Sequence, residues 1–262
     1  MTGLDSELDL ALKAMGSSFH VQLIGTFAPD LIWAPADAEA ADWLTENSPE
    51  FDQFPVKHGN STIGILLRQG GLRGRTVREV MQPLREGVIV SADMPIAELI
   101  PQLCESHYRL VLRGGRLDGL VTQSDLIKLP VRMLLFGLIS HLELCLRALI
   151  RKRFRGPEWL DLLKSARRRA VRAKLGEFKA ARFEPDPLEF SNFSDVVTVL
   201  RHQADLDEDF LIKTEHIRKL RNDIAHAKTY ISSPQDVGEF VERFNDTRQL
   251  IARVTKMLKV PQ

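Results

Sequence analysis

The sequence predicts an α+β protein in which a mixed α/β half is followed by an all-α helical bundle. In the first half, short runs typical of strands alternate with short runs typical of helices. The same order of elements returns after roughly 55 residues, which indicates an internal repeat. After Pro130 the strand-like runs stop, and five longer segments carry apolar residues at helical spacing. Two architectures are therefore joined near Pro130, without a long flexible linker.

The elements of the first half follow one another in a fixed order. Residues 36–46 are predicted to form a helix, followed by strands at 51–56 and 62–67 with a turn between them. The second set begins with an extended run at residues 88–91 and a helix at 95–106. Two further extended runs follow, at residues 109–112 and 117–122. We therefore divide the chain into an amino-terminal segment, a repeat pair and a helical domain, at residues 1–16, 17–130 (repeats 17–75 and 76–130) and 131–262.

The second half is predicted to be helical throughout. Helical periodicity is present at residues 131–154, 157–178, 194–203, 210–228 and 234–258. Ser194 before Asp195, and Ser233 before Pro234, are typical of helix N-termini. A serine side-chain oxygen accepts a hydrogen bond from a backbone N–H of the first turn, and proline is favoured at the first helical position. Residues 184–191 contain two prolines and are expected to be a connection.

The composition is that of a globular protein. Of the 262 residues, 44% are hydrophobic and 27% charged, which excludes a disordered or fibrous chain. Cys104 and Cys145 lie in apolar helical patterns, where thiols act as small hydrophobes. The acidic residues 1–12 are unlike a secretory or mitochondrial leader, which favours the cytoplasm. The apolar stretch 133–150 approaches the about 20 residues that span a bilayer, but three polar side chains indicate an amphipathic helix instead, His141, Glu143 and Arg147.

Charge is distributed unevenly, although the net charge is only +1. Residues 141–182 contain 13 lysines and arginines against four acids, and residues 184–209 contain eight acids against Arg201 alone. A basic segment favours a polyanion, because neutralising phosphates releases bound counterions. The alternative is a solvated helix face matched by an acidic neighbour, and both interpretations stay open.

Residues 76–130 resemble a CBS motif. The resemblance rests on VMQP at 80–83, GVIV at 87–90, PIAEL at 95–99 and GLVTQSDL at 119–126, the last matching the family's usual ending. Residues 17–75 match weakly, with LRQG at 67–70 where the threonine and aspartate of the ending would stand. The resemblance implies that the two repeats pack as one Bateman module with at most one well-formed nucleotide site per chain.

The implied ligand contains adenosine, as in ATP, ADP, AMP, NAD or an oligoadenylate. The resemblance places a phosphate or ribose at Thr122 and the ribose hydroxyls at Asp125. Ser124 lies beside them, and Arg109 or Arg113 would contact a phosphate. This is coherent chemistry, because a hydroxyl binds oxyanions and a carboxylate accepts from ribose hydroxyls. The alternative is structural, since a threonine three residues before an aspartate also forms a helix cap.

Residues 131–259 resemble a HEPN domain. Residues 220–226 read LRNDIAH and fit the family's R-x-x-x-x-H pattern, including the asparagine after the arginine. A first helix carrying Glu143, a short apolar helix near 194–200 and a long closing helix support the resemblance. The chain departs from those HEPN toxins that carry a tyrosine two residues after the histidine, since Lys228 stands there and Tyr230 comes later.

The resemblance implies RNA cleavage by a homodimer, with neither a metal nor a cofactor in the chemistry. RNA supplies the nucleophile, because its 2′-hydroxyl attacks the neighbouring phosphate. His226 would act as general acid or base, since an imidazole exchanges protons near neutral pH. Arg221 would stabilise the phosphorane, and Asn222 would bind a phosphate oxygen or orient His226. Positions five apart on a helix point about 140° apart, so one chain does not readily aim both groups at one atom, whereas two chains meeting along this helix could share a cleft.

The same resemblance implies an RNA surface and a biological setting. The basic helices would hold the RNA backbone, through Arg167, Arg168, Arg169, Arg172 and Lys174. The setting is toxin–antitoxin or antiviral defence, in which an adenine nucleotide regulates cleavage and a cognate antitoxin is a further partner. Two alternatives stay open. Arg221 could pair with Asp223 or Glu215 while His226 caps a buried contact, or the protein could be a non-catalytic nucleotide sensor whose helical half only dimerises or binds RNA.

Overall fold

The computed structural model describes residues 16–47, 50–182 and 185–259, except for the side chain of Pro234. Nearly all of the predicted amino-terminal segment, residues 1–16, lies outside the described residues. Residues 16–131 belong to one compact unit, and the described residues from Arg132 onward belong to a second. Within the described part of the chain, every strand lies in the first unit and the longest helices make up the second.

The first unit contains two four-stranded sheets. In chain order the strands are β1 (Thr26–Phe27), β2 (Ala34–Pro35), β3 (Gln53–His58), β4 (Ser61–Leu67), β5 (Gln82–Pro83), β6 (Ile89–Ser91), β7 (Tyr108–Arg113) and β8 (Arg116–Thr122). They form sheets of order β2-β3-β4-β5 and β1-β8-β7-β6. In each sheet the two central strands form a hairpin. One short outer strand pairs in parallel with the first strand of the hairpin, and the other short outer strand pairs antiparallel with the second. The two sheets therefore share one design.

The predicted repeat is present in this design. In each copy a short strand and a helix precede a hairpin, and the hairpin register shifts at matched places, Val56/Lys57 and Val111/Leu112. β5, which precedes the second hairpin, pairs with β4 of the first, and β1 pairs with β8 of the second. The two repeats thus exchange a strand, so that neither sheet is complete without the other copy.

Two glycines allow the exchanged strands to approach. Gly64 lies in β4 opposite β5, and Gly119 lies in β8 opposite β1. A Cβ atom at Gly64 would overlap the Gln82 carbonyl oxygen and come within 2.9 Å of the Met81 sulfur. One at Gly119 would overlap the Phe27 ring. A side chain at either position would therefore push the exchanged strand away from its partner.

The helices of the first unit are α1 (Ala40–Glu46), α2 (Val77–Val80) and α3 (Ile96–Glu105). Thr76 and Glu79 cap the start of α2 reciprocally. Where the first repeat lacks the threonine and aspartate of the motif, Arg68 donates to three carbonyl oxygens, those of Leu44, Asn47 and Phe51. This position of the first repeat therefore holds a loop together.

The helices of the second unit are α4 (Leu129–Arg153), whose first three residues belong to the first unit, α5 (Ser165–Ala180), α6 (Phe193–Leu200), α7 (Glu208–Ala225) and α8 (Pro234–Lys259). The prediction of a single helix over 157–178 is wrong in its first part. A 3₁₀ helix covers Gly156–Leu162, and α5 begins only at Ser165. The first piece buries Trp159 and Leu160, whereas α5 buries Val171 alone, so the two pieces meet the core separately.

The start of α6 also differs from the prediction. Asn192, and not Ser194, caps this helix. Its side chain accepts from the Asp195 amide at 2.9 Å, and the Asp195 carboxylate accepts from the Asn192 amide at 2.9 Å. These two reciprocal hydrogen bonds require a capping residue three positions before the acid. Asn192 meets this requirement and Ser194 does not, so Asn192 is the cap.

Among the described residues, α4 is the one helix whose length and apolar composition would allow it to cross a membrane. However, 61% of its apolar window is buried inside the structure. Arg147 on this helix pairs with Glu143 at 2.6 Å and donates to the Ser191 carbonyl. Burial of one face with polar groups on another is typical of a core helix of a globular bundle.

The two cysteines have different surroundings. Cys145 is buried, with its sulfur 3.5 Å from Nε2 of His141, whereas Cys104 is exposed. They form no disulfide in the described part of the chain. The expectation of an apolar setting thus holds for Cys145 and is wrong for Cys104, which lies on the outer face of α3.

Substitution of Gly64 tests the strand exchange. The added methyl group of Gly64→Ala would displace β5, so we expect the free energy of unfolding of the first unit to fall by about 1–3 kcal/mol. Gly176→Ala, in open space on α5, is the matched control and should raise stability by about 0.5–1 kcal/mol, because alanine favours helix. Urea unfolding followed by circular dichroism measures both. Unchanged stability of Gly64→Ala would contradict the close approach of β5.

Candidate functional site

Helix α7 carries the predicted catalytic residues at its C-terminal end. Asp207 caps its start through its side chain, and the helix ends at Ala225. Arg221 and Asn222 lie in its last two turns, whereas His226 follows as the C-cap residue with φ −97° and ψ 15°. The prediction that this helix runs to residue 228 is therefore wrong, and His226 lies just beyond the regular helix.

Ala227 ends α7 by adopting a left-handed backbone conformation. Its φ is 52°. Its amide donates to the Ile224 carbonyl at 3.2 Å, and the next amide, of Lys228, donates back to Asp223 at 2.9 Å. Amides past the helix end thus satisfy carbonyls of the last turn, an ending usually built on glycine. The regular helix therefore ends just before His226.

The side chains of Arg221, Asn222 and His226 have no hydrogen-bond or ion-pair partner among the described residues. His226 is exposed and Arg221 half-buried. The two acids considered as partners of Arg221 face other cations, in the pairs Glu215–Arg218 at 2.6 Å and Asp223–Lys228 at 3.8 Å. The fold therefore brings a guanidinium, an amide and an imidazole to one helix end with their polar groups unused.

The Arg218 contact has an electrostatic consequence for Glu215. The hydrogen bond from Arg218 lowers the pKa of this carboxyl group. Arg201 approaches the same carboxylate, at 3.5 Å. Glu215 is therefore ionised at neutral pH and held by two cations other than Arg221.

The turn after His226 is held by α4. Arg132 donates from Nη2 to the Lys228 carbonyl at 2.9 Å, and its guanidinium lies 4.9 Å from the centre of the Tyr230 ring. Tyr230 stacks on Phe240 of α8, with ring centres 5.4 Å apart. Burial raises the pKa of Tyr230 to about 12, so its phenol stays neutral. Sequence reasoning missed Arg132, because no local pattern marks a contact across 96 residues.

Arg167, predicted to contact RNA, has a partner within the fold. Its guanidinium lies 2.8 and 3.0 Å from the two carboxylate oxygens of the buried Asp195 and donates to the Phe190 carbonyl at 2.7 Å. An RNA phosphate would have to compete with a buried carboxylate for this guanidinium, and the loss would leave that charge uncompensated. Arg167 therefore has a structural role in joining α5 to α6.

The other predicted RNA contacts lie on the outer part of α5. Arg168 and Arg172 share the carboxylate of Asp161, at 3.0 and 3.2 Å. Arg169 and Lys174 are exposed, and the described residues offer them no partner. Ion pairs as exposed as those of Asp161 are weak and easily exchanged, so four of the five predicted cations face solvent or a weak partner.

In the first unit, Thr122 and Asp125 form a helix cap. One oxygen of Asp125 accepts from the Thr122 amide at 2.6 Å and from the Thr122 hydroxyl at 3.2 Å. The other oxygen lies 2.6 Å from Nζ of Lys128. Ser124 is exposed between them. Thr122 and Asp125 therefore form the helix cap that was the structural alternative to a ligand site. A carboxylate has about four acceptor sites, so that of Asp125 could accept from one more donor.

The two arginines considered as phosphate contacts differ in exposure. Arg109 is 5% exposed and donates to the carbonyls of Tyr108 at 2.9 Å and Gln102 at 2.6 Å. Burial lowers its pKa from the ordinary arginine value. The burial of Arg109 and its two carbonyl partners make it a poor phosphate contact, although its Nε has no hydrogen-bond partner within the described part of the chain. Arg113 is more exposed and pairs with Asp118 at 2.9 Å.

No model of a known protein family matches the sequence, and no curated protein shows significant similarity to it. Among solved structures, the chain is similar to the CBS domain of the bacterial CNNM/CorC family Mg²⁺ transporter in complex with ATP, with 20% identity, 48% of this chain and 96% of that chain covered, and a TM-score of 0.38. It is also similar to the CBS-pair protein CBSX2 from Arabidopsis thaliana, with 16% identity, 44% and 96% covered, and a TM-score of 0.38.

A hemolysin-like protein containing a CBS domain, from Oenococcus oeni PSU, is similar with 17% identity, 45% of this chain and 93% of that chain covered, and a TM-score of 0.36. All three contain CBS domains, the family that the motifs at residues 76–130 resemble. Each covers about half of this chain.

Ala227 offers a direct test of the helix ending. Glycine enters the left-handed region without the methyl clash, so Ala227→Gly should raise the free energy of unfolding of the helical unit by about 1 kcal/mol. Ala173→Gly, at an exposed position inside α5, is the matched control and should lower it by about 0.5–1 kcal/mol. Urea unfolding distinguishes the two signs. A destabilised Ala227→Gly variant would mean that residue 227 is not left-handed.

Proposed function

We propose that the protein is an adenine-nucleotide-regulated endoribonuclease that cleaves RNA without a metal ion. The observation that carries the proposal is the set of unused polar groups at the end of α7, on Arg221, Asn222 and His226. The acids considered as partners of Arg221 are held by Arg218 and Lys228 instead, so its guanidinium keeps its donors available for an anion. The proposal places the protein in the cytoplasm, in a toxin–antitoxin or antiviral setting.

The proposed reaction is an internal transesterification of RNA. A base takes the proton of a 2′-hydroxyl, and that oxygen attacks the adjacent phosphorus. The bond from phosphorus to the 5′-oxygen breaks, and that oxygen receives a proton. The products are a 2′,3′-cyclic phosphate and a 5′-hydroxyl. His226 transfers a proton, and Arg221 donates to the equatorial oxygens as their charge increases. Asn222 binds a phosphate oxygen or orients the imidazole.

Two protomers are proposed to complete this site. The reaction removes one proton and delivers another, so two imidazoles can divide the roles of base and acid. Arg221 lies within α7 and His226 lies past its end, so their positions favour a cleft to which both copies contribute. A two-fold arrangement supplies the second set by symmetry, and it is the commonest form of homo-oligomer.

The cations of α5 are proposed to hold the RNA backbone. Arg169 and Lys174 lead this surface, because the described residues leave both exposed and without a partner. Arg168 and Arg172 would join them by exchanging their exposed partner, Asp161, for phosphates. Such a surface binds RNA without reading its sequence and loses affinity as salt is added.

The proposed regulatory ligand is an adenine nucleotide in the first unit. Its ribose would use the remaining acceptor capacity of Asp125, and its phosphates would approach Thr122 and Ser124. α4 begins at Leu129, directly after this segment, and is therefore the proposed route of regulation. Regulation requires that the nucleotide bind one arrangement of the protein more tightly than the other.

Cleavage should depend on Arg221 and His226. We expect the purified protein, with EDTA present, to cut single-stranded RNA and to leave 2′,3′-cyclic phosphate ends. Arg221→Ala and His226→Ala should each reduce kcat by about 100-fold or more, the usual contribution of a general acid–base group or of an electrostatic donor. Gel analysis of labelled RNA with end-group mapping is the measurement.

His216→Ala is the matched control, because His216 is an exposed histidine of the same helix. Its cleavage rate should equal that of the wild type. Full activity of His226→Ala would remove the assigned role. Absence of RNA cleavage by the wild type, with and without ATP, AMP or NAD, would favour a non-catalytic sensor.

Nucleotide binding should depend on Asp125. Replacement of its charge in Asp125→Asn should weaken ATP or AMP binding by about tenfold, since hydrogen bonds to charged groups contribute about 1.5–3 kcal/mol. Glu79→Gln is the matched control, because Glu79 belongs to the similar cap at the start of α2, where no ligand is proposed. Isothermal titration measures both affinities. Equal losses in the two variants would show that cap stability, and not ligand contact, sets the affinity.

A further inference from the structure

The backbone around His226 is fixed on both sides, although its imidazole forms no bond with the described residues. On the near side, the His226 amide donates to the Asn222 carbonyl at 3.0 Å. On the far side, two residues later, the Lys228 carbonyl accepts from Nη2 of Arg132 at 2.9 Å. A charged donor makes this a stronger hydrogen bond than a neutral one. The position of His226 is therefore set by its flanks and not by its own side chain.

Arg132 is itself held by more than this one bond. Its guanidinium lies 4.9 Å from the Tyr230 ring centre, and Tyr230 stacks on Phe240 at an interplanar angle of 24°. A planar cation over an aromatic face is attracted by the ring, more strongly where water is excluded. Tyr230 is neutral, so this attraction comes from the ring face. Arg132 thus clamps the turn at two points, the Lys228 carbonyl and the Tyr230 ring.

We propose that Arg132 is a positioning residue for His226, holding the turn that presents its imidazole to RNA. The inference rests on the proposed function, because it assigns the clamp a purpose in that reaction. Arg132 acts through backbone and ring contacts and touches no reacting atom, so its loss should misplace the imidazole without removing it. Small misplacements of a catalytic group are costly, because the reaction requires a narrow range of geometries.

The chemistry of arginine is specific in this role. A planar guanidinium can donate to the carbonyl along its edge while its face lies against the ring. Arg132→Lys keeps the charge and one donor, and should therefore preserve part of the clamp. Arg132→Met keeps the length of the side chain and removes both interactions.

Hydrogen exchange of the turn tests the clamp without reference to activity. In Arg132→Met, the amides of residues 226–231 should exchange at least about tenfold faster, because each tenfold corresponds to about 1.4 kcal/mol of lost local stability. Arg132→Lys should give a smaller increase, and amides of α6 should not change. Arg151→Met is the matched control, since Arg151 lies on the same helix, about 28 Å further along, and contacts Asp186.

Unchanged exchange in residues 226–231, or an equal increase across the whole helical unit, would overturn the proposal. The first result would mean that the turn does not need Arg132. The second would mean that Arg132 stabilises the unit generally. An increase at the turn in Arg151→Met would overturn it as well, because the effect would not belong to Arg132.

Kinetics supply the second readout. Arg132→Met should lower kcat by about tenfold and change KM less than twofold, whereas Lys174→Ala, on the RNA surface, should mainly raise KM. A rise in KM with kcat unchanged would overturn the positioning role and make Arg132 an RNA contact. If the wild type cleaves no RNA, the proposed function fails, while the exchange measurement still decides whether Arg132 fixes the turn.

Discussion

The way α7 ends, next to Arg221 and His226, depends on one backbone conformation, the left-handed φ of 52° at Ala227. With a helical residue there, α7 would continue past His226 as regular helix. Instead the Lys228 amide bonds back to Asp223, and the chain turns away with His226 at the bend. Alanine pays about 1 kcal/mol or more for this conformation, so contacts beyond the turn must offset it. A backbone strained next to a candidate catalytic group is a common feature of functional sites.

Ion pairing determines how much of the basic segment is left for a ligand. Three of its arginines reach acids of the acidic segment, in the pairs Arg151–Asp186, Arg153–Asp205 and Arg167–Asp195. Of these three arginines, Arg167 is the least available to a ligand, because loss of its ion pair would leave the buried charge of Asp195 uncompensated. Both interpretations of the charge distribution are therefore realised in part: some cations match an acidic neighbour, and others, led by Arg169 and Lys174, remain on the surface.

The hairpins and most helices could be predicted from the sequence because they are long enough to show a period. The exchanged strands β1 and β5 could not, since two residues carry no period and their pairing depends on the other repeat. Within the site, a motif identifies Arg221 and His226, and the structure places them at one helix end. Arg218, the partner of Glu215, lies three residues away on the same helix and was within reach of the sequence. The clamp from Arg132 could not be predicted, because it depends on a contact between separate helices. Asn192 was within reach, since it stands three residues before an acid.

At Asp125 the helix cap and the proposed ligand compete for one carboxylate. One oxygen accepts twice from Thr122, and the other accepts from Lys128, which also donates to the Ile24 carbonyl at 2.5 Å. Three of about four acceptor sites of the buried Asp125 are thus filled, so the proposed ribose would find one acceptor site open and would need Lys128 to move for a second. Lys128 immediately precedes Leu129, the first residue of α4, the helix that carries Arg132. Under the proposed regulation, a nucleotide that moves Lys128 would act at the residue before α4, and it would regulate only if it bound one arrangement of this helix start more tightly than another.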